Sequence, residues 1–351
     1  MSLANEPIPF KRKAEPLPEL PGNLFVRLVT AKALSSLHHV RLLDVIERMW
    51  PDDILLRAAS APAQTTVTGW AAELARKVIV DALSSMQTAS AGADLLGRGL
   101  VLSMAGYGQV SAPGFLAGPG NAGFVAENAP IPVRQLAVSP ATLLPYKLAT
   151  IAVLTREMME SGNADKLVTD ALVRSCGPAL DVALFDSNAA TSARPAGLRY
   201  GISASTPSSS TDPFGACFED VATLVNAVSA VAGAGPVVLV CSPGRALMVR
   251  ARLSSGIEQG ALPIRASNAV GADLIAVAPE ALVAAFSSDP EVESAESGTL
   301  HMDTAPVADP GSTGTHKSLF QTETTAVKVR WPVTWALRNA AGVAWLTPIW
   351  K

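Results

Sequence analysis

Charged side chains are scarce in this sequence of 351 residues. Asp, Glu, Lys and Arg make up 16% of it, whereas hydrophobic residues make up 49%, and soluble domains usually carry about 25% charged residues. Such a deficit is typical of a subunit whose surface is largely covered by other subunits, because obligate interfaces resemble a domain core. The formal net charge of −3 also excludes the strongly basic surface of a dedicated nucleic-acid-binding domain.

Cysteine is rare as well. The three copies, Cys176, Cys217 and Cys241, are too few and too widely spaced for a disulfide framework or a zinc site, and we expect small buried side chains in a reducing compartment. Residues 1–22 carry basic residues without the apolar core of a signal peptide, and no run of 18 apolar residues occurs. The sequence therefore predicts an intracellular, soluble protein without a membrane partner.

The segment 118–123 has the G-x-G-x-x-G spacing of a dinucleotide-binding loop, but its context is wrong for that function. Pro130 and Pro132 follow where the helix of such a loop should continue. No Asp or Glu lies between Asn128 and Arg156 to hold the ribose. A flexible glycine-rich loop is the better interpretation.

Other motifs for catalysis and cofactor binding are equally incomplete. The segment Gly311–Ser318 resembles a phosphate-binding loop, but His316 replaces its second glycine and β-forming residues follow instead of a helix. His38 and His39 are adjacent on a predicted helix, so they point about 100° apart and cannot share a metal ion. We therefore predict no catalytic residues, no cofactor-binding residues and no metal ligands.

Hydrophobic periodicity predicts a mixture of helices and strands. A proline inside the third helix, at Gly177-Pro178, is expected to kink it. The predicted helices span Leu24–Trp50, Thr68–Met86, Asn163–Asp186, Phe218–Val231 and Pro243–Leu253; the predicted strands lie at 236–241, Leu262–Ala266, Asp273–Ala278 and along the alternating segment Val327–Arg338.

The segment Gly99–Ala126 combines two features that rarely occur together: seven of its 28 residues are glycine, and none is charged. A glycine-rich loop that faces water normally carries polar side chains. This one carries Phe, Tyr, Leu and Val instead. We predict a long loop that becomes buried only against a neighbouring subunit.

The collinear order of these parts resembles the major capsid protein of tailed bacteriophages, the Hong Kong 97 fold. Residues 123–162 resemble that family's passage from its extended E-loop into its P-domain. Residues 163–201 resemble the spine helix with its Asp181-x-x-Leu-Phe185 end and the Pro-x-Gly-Leu loop after it, and residues 318–347 resemble the closing P-domain strands. No single motif is diagnostic, and the likeness rests on the order.

The resemblance implies an α+β fold with an N-terminal arm, an E-loop, a P-domain and an A-domain. It implies these boundaries: 1–66 as N-terminal arm or scaffold-like segment, 67–98 as the first helix of the capsid core, 99–145 as E-loop, 146–212 as P-domain with the spine helix, 213–317 as A-domain, and 318–351 as closing P-domain strands.

The resemblance also implies a function. Copies of the chain would form pentamers and hexamers of an icosahedral shell, enclose double-stranded DNA non-specifically, and meet portal and decoration or scaffold proteins in a virion assembled in the host bacterial cytoplasm. No lysine lies between Lys77 and Lys147, so the E-loop lacks the donor of the isopeptide bond that some relatives form. The E-loop residues expected to contact a neighbouring subunit are Tyr107, Phe115, Leu116, Phe124 and Glu127.

Two other functions stay open on the sequence alone. One is an encapsulin, a nanocompartment shell of the same fold that would package an enzyme. The additional N-terminal region 24–60 favours a phage capsid protein over an encapsulin. A nucleotide-dependent enzyme is the remote alternative, since both of its motifs lack their context. If the N-terminus is processed, we expect the cut between Pro51 and Thr66, in the linker between two predicted helices.

Overall fold

The structure is a computed structural model that describes residues 23–53, 56–57, 79–87, 89–104, 108–114, 141–155, 157, 164–253, 262–287, 291–301 and 316–350. The chain has a mixed α+β architecture and divides into two units. Unit 1 comprises Met1–Ser85, Leu148–Cys176 and Ser288–Trp331; unit 2 comprises Met86–Lys147, Gly177–Ser287 and Pro332–Lys351.

The helices follow the predicted ones closely in the second half of the chain. They are α1 Asn23–His38, α2 Leu42–Met49, α3 at residues 79–86, α4 Ala91–Arg98, α5 Ala164–Leu184, α6 Pro213–Ala232 and α7 Pro243–Leu253.

The strands are mostly short, with two long exceptions, β4 and β12. They are β1 Leu100–Ser103, β2 Val110–Ala112, β3 Ala141–Leu143, β4 Tyr146–Thr155, β5 Val238–Cys241, β6 Ile264–Ala266, β7 Leu274–Val277, β8 Leu282–Phe286, β9 Glu291–Ala295, β10 Thr299–His301, β11 His316–Ser318, β12 Thr324–Leu337 and β13 Val343–Leu346.

In unit 1, helix α1 packs against strand β9, which pairs in turn with the first part of β12. The ring of Phe25 lies 5.2 Å from that of Trp331. The Ser294 amide donates to the Ser36 hydroxyl at 3.3 Å, and the Ser294 hydroxyl donates to the Ala33 carbonyl. Because the inner side chains of α1 are almost completely buried, this helix belongs to the core of unit 1.

The single helix predicted at Leu24–Trp50 is interrupted at His39, so that prediction is wrong at its centre. His39 has a positive φ of 51°, a left-handed conformation that ends helices. The Val40 amide bonds back to the Ser35 carbonyl, and the Ser35 hydroxyl donates to the Val40 carbonyl at 2.6 Å. His38 and His39 therefore do not share a helix: His38 ends α1 and His39 forms the turn.

In unit 2, a four-stranded sheet has the order β13-β7-β5-β6, and helices α6 and α7 pack on one of its faces. Both faces of β5 and β7 are buried, as is typical of strands covered on two sides. Helix α6 begins five residues before its predicted start. Asp212 caps it by accepting from the amides of Phe214 and Gly215, and Pro213 occupies the first turn.

The sheets divide the chain differently from the boundaries that the resemblance implies. Strand β8, within the predicted A-domain, pairs with the last part of β12 and not with the four-stranded sheet. Strand β13, within the predicted closing P-domain strands, pairs with β7 in that sheet. These pairings join residues far apart in sequence, which hydrophobic periodicity does not specify.

Candidate assembly surfaces

The five predicted E-loop contact residues, Tyr107, Phe115, Leu116, Phe124 and Glu127, lie outside the described residues. The glycine motif at 118–123 lies there too. Their contact role stays a prediction.

The root of the predicted E-loop is a two-stranded antiparallel ladder of β2 and β3. Ala112 and Ala141 are register partners, so the residues that precede and follow the segment 113–140 are neighbours. Ala112 and Leu143 are fully buried and pack with Met104 of the same unit. The segment is therefore anchored at both ends in the hydrophobic core of unit 2.

The structure differs from the prediction of an unbroken loop over Gly99–Ala126. Its first residues form β1, which pairs in parallel with β8, Leu100 opposite Val283. Met104 then donates its amide to the carbonyl of Phe286. Four residues among glycines give too short a pattern to distinguish such a strand from a loop, so only the later part of this segment remains available as an arm.

The C-terminal end of helix α5 carries a buried carboxylate, Asp181, that joins three parts of unit 2. One of its oxygens accepts from the Ser90 hydroxyl at 2.5 Å and from the Gly92 amide at 2.8 Å. The other accepts from the Ser267 hydroxyl at 2.6 Å and from the Ala91 amide at 3.2 Å. A negative charge at the first turn of α4 is stabilised by the unpaired amides there.

Two glycines let the backbones approach around this carboxylate. A Cβ atom on Gly92 would lie 2.7 Å from the side chain of Leu184, and one on Gly177 would lie 3.2 Å from that of Ala89. Helix α5 continues through Pro178. Leu184 and Phe185, the hydrophobic end of the predicted spine helix, are fully buried.

A second acidic group, Asp94 of α4, lies between two arginines. Arg265 donates to it at 2.6 Å and Arg98 at 2.9 Å. Burial acts to raise the pKa of Asp94, but the hydrogen bonds and charges of these two arginines outweigh burial, so the pKa is lower than the ordinary value. Asp94 is therefore ionised and paired at neutral pH.

The loop after α5 is held tightly at its Pro-x-Gly-Leu segment. A Cβ atom on Gly197 would lie 2.2 Å from the backbone carbonyl oxygen of Asp186, so only glycine fits. Arg194 forms an ion pair with the Asp186 carboxylate. Burial acts to raise the pKa of Asp186, but hydrogen bonds from Arg194 and Asn188 lower it overall.

Arg199 connects the same loop to the four-stranded sheet. Its guanidinium donates to the Phe185 carbonyl at 2.7 Å, pairs with Asp273 and lies 5.0 Å from the ring centre of Trp345. The Trp345 indole donates to the Ile202 carbonyl at 2.9 Å. A loop with this many fixed partners is a rigid part of unit 2.

The end of the chain is anchored in unit 2 by Trp350. Its indole donates to Asp220 at 2.7 Å, and the guanidinium groups of Arg245 and Arg252 lie 5.5 and 5.0 Å from the ring centre. Asp220 also accepts from the Ser208 amide. Strand β13 and this tryptophan thus complete the α/β body of unit 2.

Large apolar side chains remain exposed in both units. In unit 2, Phe214 and Phe218 are about half exposed on one face of α6, and Leu247 of α7 is 70% exposed; residues four apart on a helix lie on the same face. In unit 1, Phe320 is 80% exposed at the turn before β12. Exposed apolar groups of this size are typical of surfaces that meet other proteins.

Strand β4 shows the same feature along its whole length. None of its ten residues is fully buried, although most are apolar. Ile151 is the most exposed of its large apolar side chains. A strand of this composition is normally buried on at least one face, so β4 is suited to being covered by another protein.

The three cysteines are free, as predicted. Cys217 and Cys241 are buried and Cys176 is partly buried. Burial raises the pKa of Cys176 to about 11 and that of Cys241 to about 11. Thiols with such pKa values are poor nucleophiles at neutral pH, which fits small packing side chains.

Among the described residues, no group of three or more His, Cys, Asp or Glu side chains could hold a metal ion. His316 begins strand β11, so the phosphate-loop motif lacks the helix that phosphate binding requires. Helix α6 is long and apolar enough to cross a membrane by length and composition. However, its inner face packs on the four-stranded sheet, as in the core helix of a soluble protein.

No protein-family model and no curated protein sequence matches this chain, whereas several solved structures do. A structure from Microbacterium phage Oxtober96 has a TM-score of 0.48 and 15% identity over 74% of this chain and 91% of that chain. A virus-like particle from Pyrococcus furiosus has a TM-score of 0.45 and 14% identity over 78% and 98% of the respective chains.

The satellite phage P4 procapsid, solved with its size determination protein, has a TM-score of 0.45 and 10% identity over 82% of this chain and 93% of that chain. The sources of these structures are phages and a virus-like particle.

Proposed function

We propose that this chain is the major capsid protein of a tailed bacteriophage, with the Hong Kong 97 fold. The observation that carries the proposal is the anchored root of the segment 113–140. Its two ends are adjacent in the β2–β3 ladder and packed in the core of unit 2. The glycine-rich residues between them, which carry only two charged side chains, Glu127 and Arg134, are suited to lie over the next subunit as an E-loop.

The order of the remaining elements supports the same proposal. Helix α5 corresponds to the spine helix, with β4 before it and the long strand β12 near the end of the chain. The four-stranded sheet with α6 and α7 corresponds to the A-domain. In this assignment the A-domain also takes β13 and Trp350, and the P-domain takes β8 and β9, in place of the boundaries that the sequence implied.

Assembly into a shell would bury the exposed apolar side chains at interfaces between subunits. Burying one phenylalanine at an interface contributes about 1.5–3 kcal/mol, and Phe218, Phe320 and Ile151 would each be buried in every copy. Identical subunits in closed symmetry repeat that gain throughout the shell. Pentamers and hexamers, non-specifically enclosed double-stranded DNA, and portal, decoration or scaffold partners are the finer parts of this proposal, and the shell has no enzymatic role.

The proposal is tested by the mass and content of particles. The purified chain should form closed shells of many copies, seen by electron microscopy and measured by light scattering. Particles from a productive infection should contain nuclease-protected DNA. A chain that stays monomeric or in small oligomers at every concentration would contradict the shell assignment. Closed particles that hold an enzyme and no DNA would show a nanocompartment instead.

A further inference from the structure

Helices α6 and α7 of unit 2 form one layer whose outer surface is almost uncharged. Both helices pack on the same face of the four-stranded sheet and contact each other. Nine residues of α6 and six of α7 are exposed, and only Glu219 and Arg250 among them are charged. Because a surface that faces water usually has charges at about a quarter to a third of its positions, this layer has the composition of a covered surface.

Four large apolar side chains of this layer are exposed. The exposed fraction is 49% for Phe214, 52% for Phe218, 70% for Leu247 and 40% for Met248. Phe214 and Phe218 are four residues apart and lie on one face of α6, whereas Leu247 and Met248 are neighbours in α7. An apolar group of this size on one subunit is typical of a contact with another protein.

The two exposed charges have opposite signs and lie on different helices. Glu219 of α6 accepts a hydrogen bond from the Ser208 hydroxyl, and Arg250 of α7 donates to the Ile264 carbonyl at 2.9 Å. A carboxylate and a guanidinium can each make further hydrogen bonds beyond such a contact. A surface with one acid on one helix and one base on the next is therefore complementary to a second copy of itself.

These two charges stand at a similar level along the layer. The Trp350 indole donates to Asp220, the residue after Glu219, at 2.7 Å. The guanidinium of Arg252, two residues after Arg250, lies 5.0 Å from the centre of the same indole ring. Because each residue advances a helix by about 1.5 Å, the shared indole places the two charged positions at about the same height.

The shared orientation of the helices restricts how two copies can meet. Since α6 and α7 lie on one side of the same sheet, their outer surfaces point in the same direction. A second copy covers both helices only by facing them. A two-fold axis parallel to the helices then places α6 of each copy on α7 of the other and keeps the heights equal. Glu219 of each copy thereby meets Arg250 of the other.

The size of the layer predicts a weak pair. Helices α6 and α7 have 20 and 11 residues, so they are about 30 and 16 Å long and each is about 10 Å wide. Together they cover about 460 Å² on each copy, or about 900 Å² on both. Specific interfaces bury about 1,000 Å² or more, so we expect a reversible pair and not a permanent one.

We propose that the outer surface of α6 and α7 is a contact between two copies of this chain related by a two-fold axis. Phe214, Phe218 and Leu247 of each copy are covered by the other copy, and Glu219 of one copy pairs with Arg250 of the other. This pairing goes beyond the shell function, and the free chain forms it without another protein.

The first test measures self-association of the full chain by sedimentation over a range of concentrations. Leu247→Asp should weaken it by about tenfold or more and leave the circular dichroism spectrum unchanged, because Leu247 is 70% exposed. Glu219→Arg and Arg250→Glu should each weaken it by about threefold or more. Glu296→Arg is the matched control, since Glu296 is exposed in unit 1, and it should associate as the wild type does.

An equimolar mixture of the Glu219→Arg and Arg250→Glu chains should associate like the wild type. In the mixed pair each altered charge meets an opposite charge on the other copy, whereas each variant alone brings like charges together. A contact within one chain cannot give this restoration, because each single variant would keep its own mismatch.

A crosslink identifies the contact in a free pair and in a larger particle alike. In chains with Arg250→Lys, a carbodiimide should join the Glu219 carboxylate to the lysine amine of another copy. Chains labelled with ¹⁵N and unlabelled chains are mixed before the reaction, so mass spectrometry distinguishes a crosslink between copies from one within a chain.

Self-association that no variant changes, a mixture that does not recover, or crosslinks within single chains only would each overturn the proposal. Another protein or another segment of this chain on the same surface would give those results. Shells without this crosslink would leave the capsid proposal standing, and a crosslinked pair without shells would leave the pairing standing.

Discussion

Single residues at the C-terminal end of α5 hold the parts of unit 2 in register. Asp181 receives four hydrogen bonds from Ser90, Ala91, Gly92 and Ser267, donors that lie about 90 residues away in sequence. The sequence marked Asp181 only through its place in the Asp-x-x-Leu-Phe resemblance. Its partners were unpredictable, because helical periodicity says which face is buried and not which distant amides meet it.

Gly197 offers the sharpest stability test at this scale. Gly197→Ala should lower the free energy of unfolding by about 1–3 kcal/mol or more, because the new Cβ overlaps the backbone of Asp186 and forces the loop to move. Gly244→Ala is the matched control, since nothing lies within 4 Å of its Cβ position and alanine favours a helix. Chemical denaturation measures both, and equal stability of the two variants would refute the close contact.

Asp94 makes stability depend on pH in acid. Its folded-state pKa is lowered by Arg265 and Arg98, so its contribution is fully present above the ordinary carboxyl pKa and is lost as the pH falls toward the folded value. The unfolding free energy of Asp94→Asn should therefore fall less steeply from pH 5 to pH 3 than that of the wild type, by about 0.5–1 kcal/mol.

The control for that profile is Asp44→Asn. Asp44 pairs with Arg41, whose side chain is 86% exposed, and such surface pairs contribute little. Its profile between pH 5 and pH 3 should match that of the wild type. Parallel profiles for the Asp94 variant and the wild type would show that the buried pair has no such effect.

At the scale of elements, segments with marked ends were predicted well, and features that leave no pattern in the sequence were not. The limits of α5, α7, β5 and β7 lie within two residues of their predicted ends, because apolar spacing and terminal Pro or Gly residues mark them. The break at His39 and the strand β1 were missed, since a single left-handed residue or four strand residues among glycines leave no periodic signal. Asp212-Pro213 was a readable start signal for α6.

Helix α1 is expected to be necessary for the stability of unit 1, whereas a removable N-terminal arm would not be. It packs on β9 and buries residues such as Leu28 and Val29 completely. A chain that begins at residue 58 should aggregate or melt well below the full chain, because each buried aliphatic residue lost removes about 1.5–3 kcal/mol. Melting followed by circular dichroism decides this.

Deletion of residues 1–22 is the control for that truncation, because it removes none of the contacts of α1 described above. It should leave the melting temperature unchanged. If the chain that begins at residue 58 melted like the full chain, α1 and α2 would be dispensable to unit 1, and a cut between Pro51 and Thr66 would be compatible with an intact subunit.

At the scale of the whole molecule, the sequence predicts covered surfaces without predicting their position. Low charge indicated covered surfaces, and the exposed side chains on α6, α7 and β4 are surfaces that a partner would cover. Their positions could not be predicted, because the sequence pattern does not distinguish an apolar side chain in the subunit's own core from one that faces a neighbouring copy.

The comparison of Phe115→Asp with Val329→Asp separates assembly from folding. Phe115 lies between β2 and β3 in the uncharged stretch Gly99–Ala126, so its charged variant should fold normally and fail to assemble, since the aspartate would lose its water in an apolar contact. Even about 1–2 kcal/mol lost per contact is repeated in every subunit of a closed shell. Val329 is buried in β12 opposite Val292 of β9, and its charged variant should unfold the subunit.

Circular dichroism and electron microscopy on both variants distinguish the two effects. A folded Phe115→Asp chain without shells, beside an unfolded Val329→Asp chain, is the expected pair of results. Normal shells from Phe115→Asp would remove the segment 113–140 from the interface. Loss of its folded signal would instead place Phe115 in the subunit's own core, together with Ala112 and Leu143 at the root of that segment.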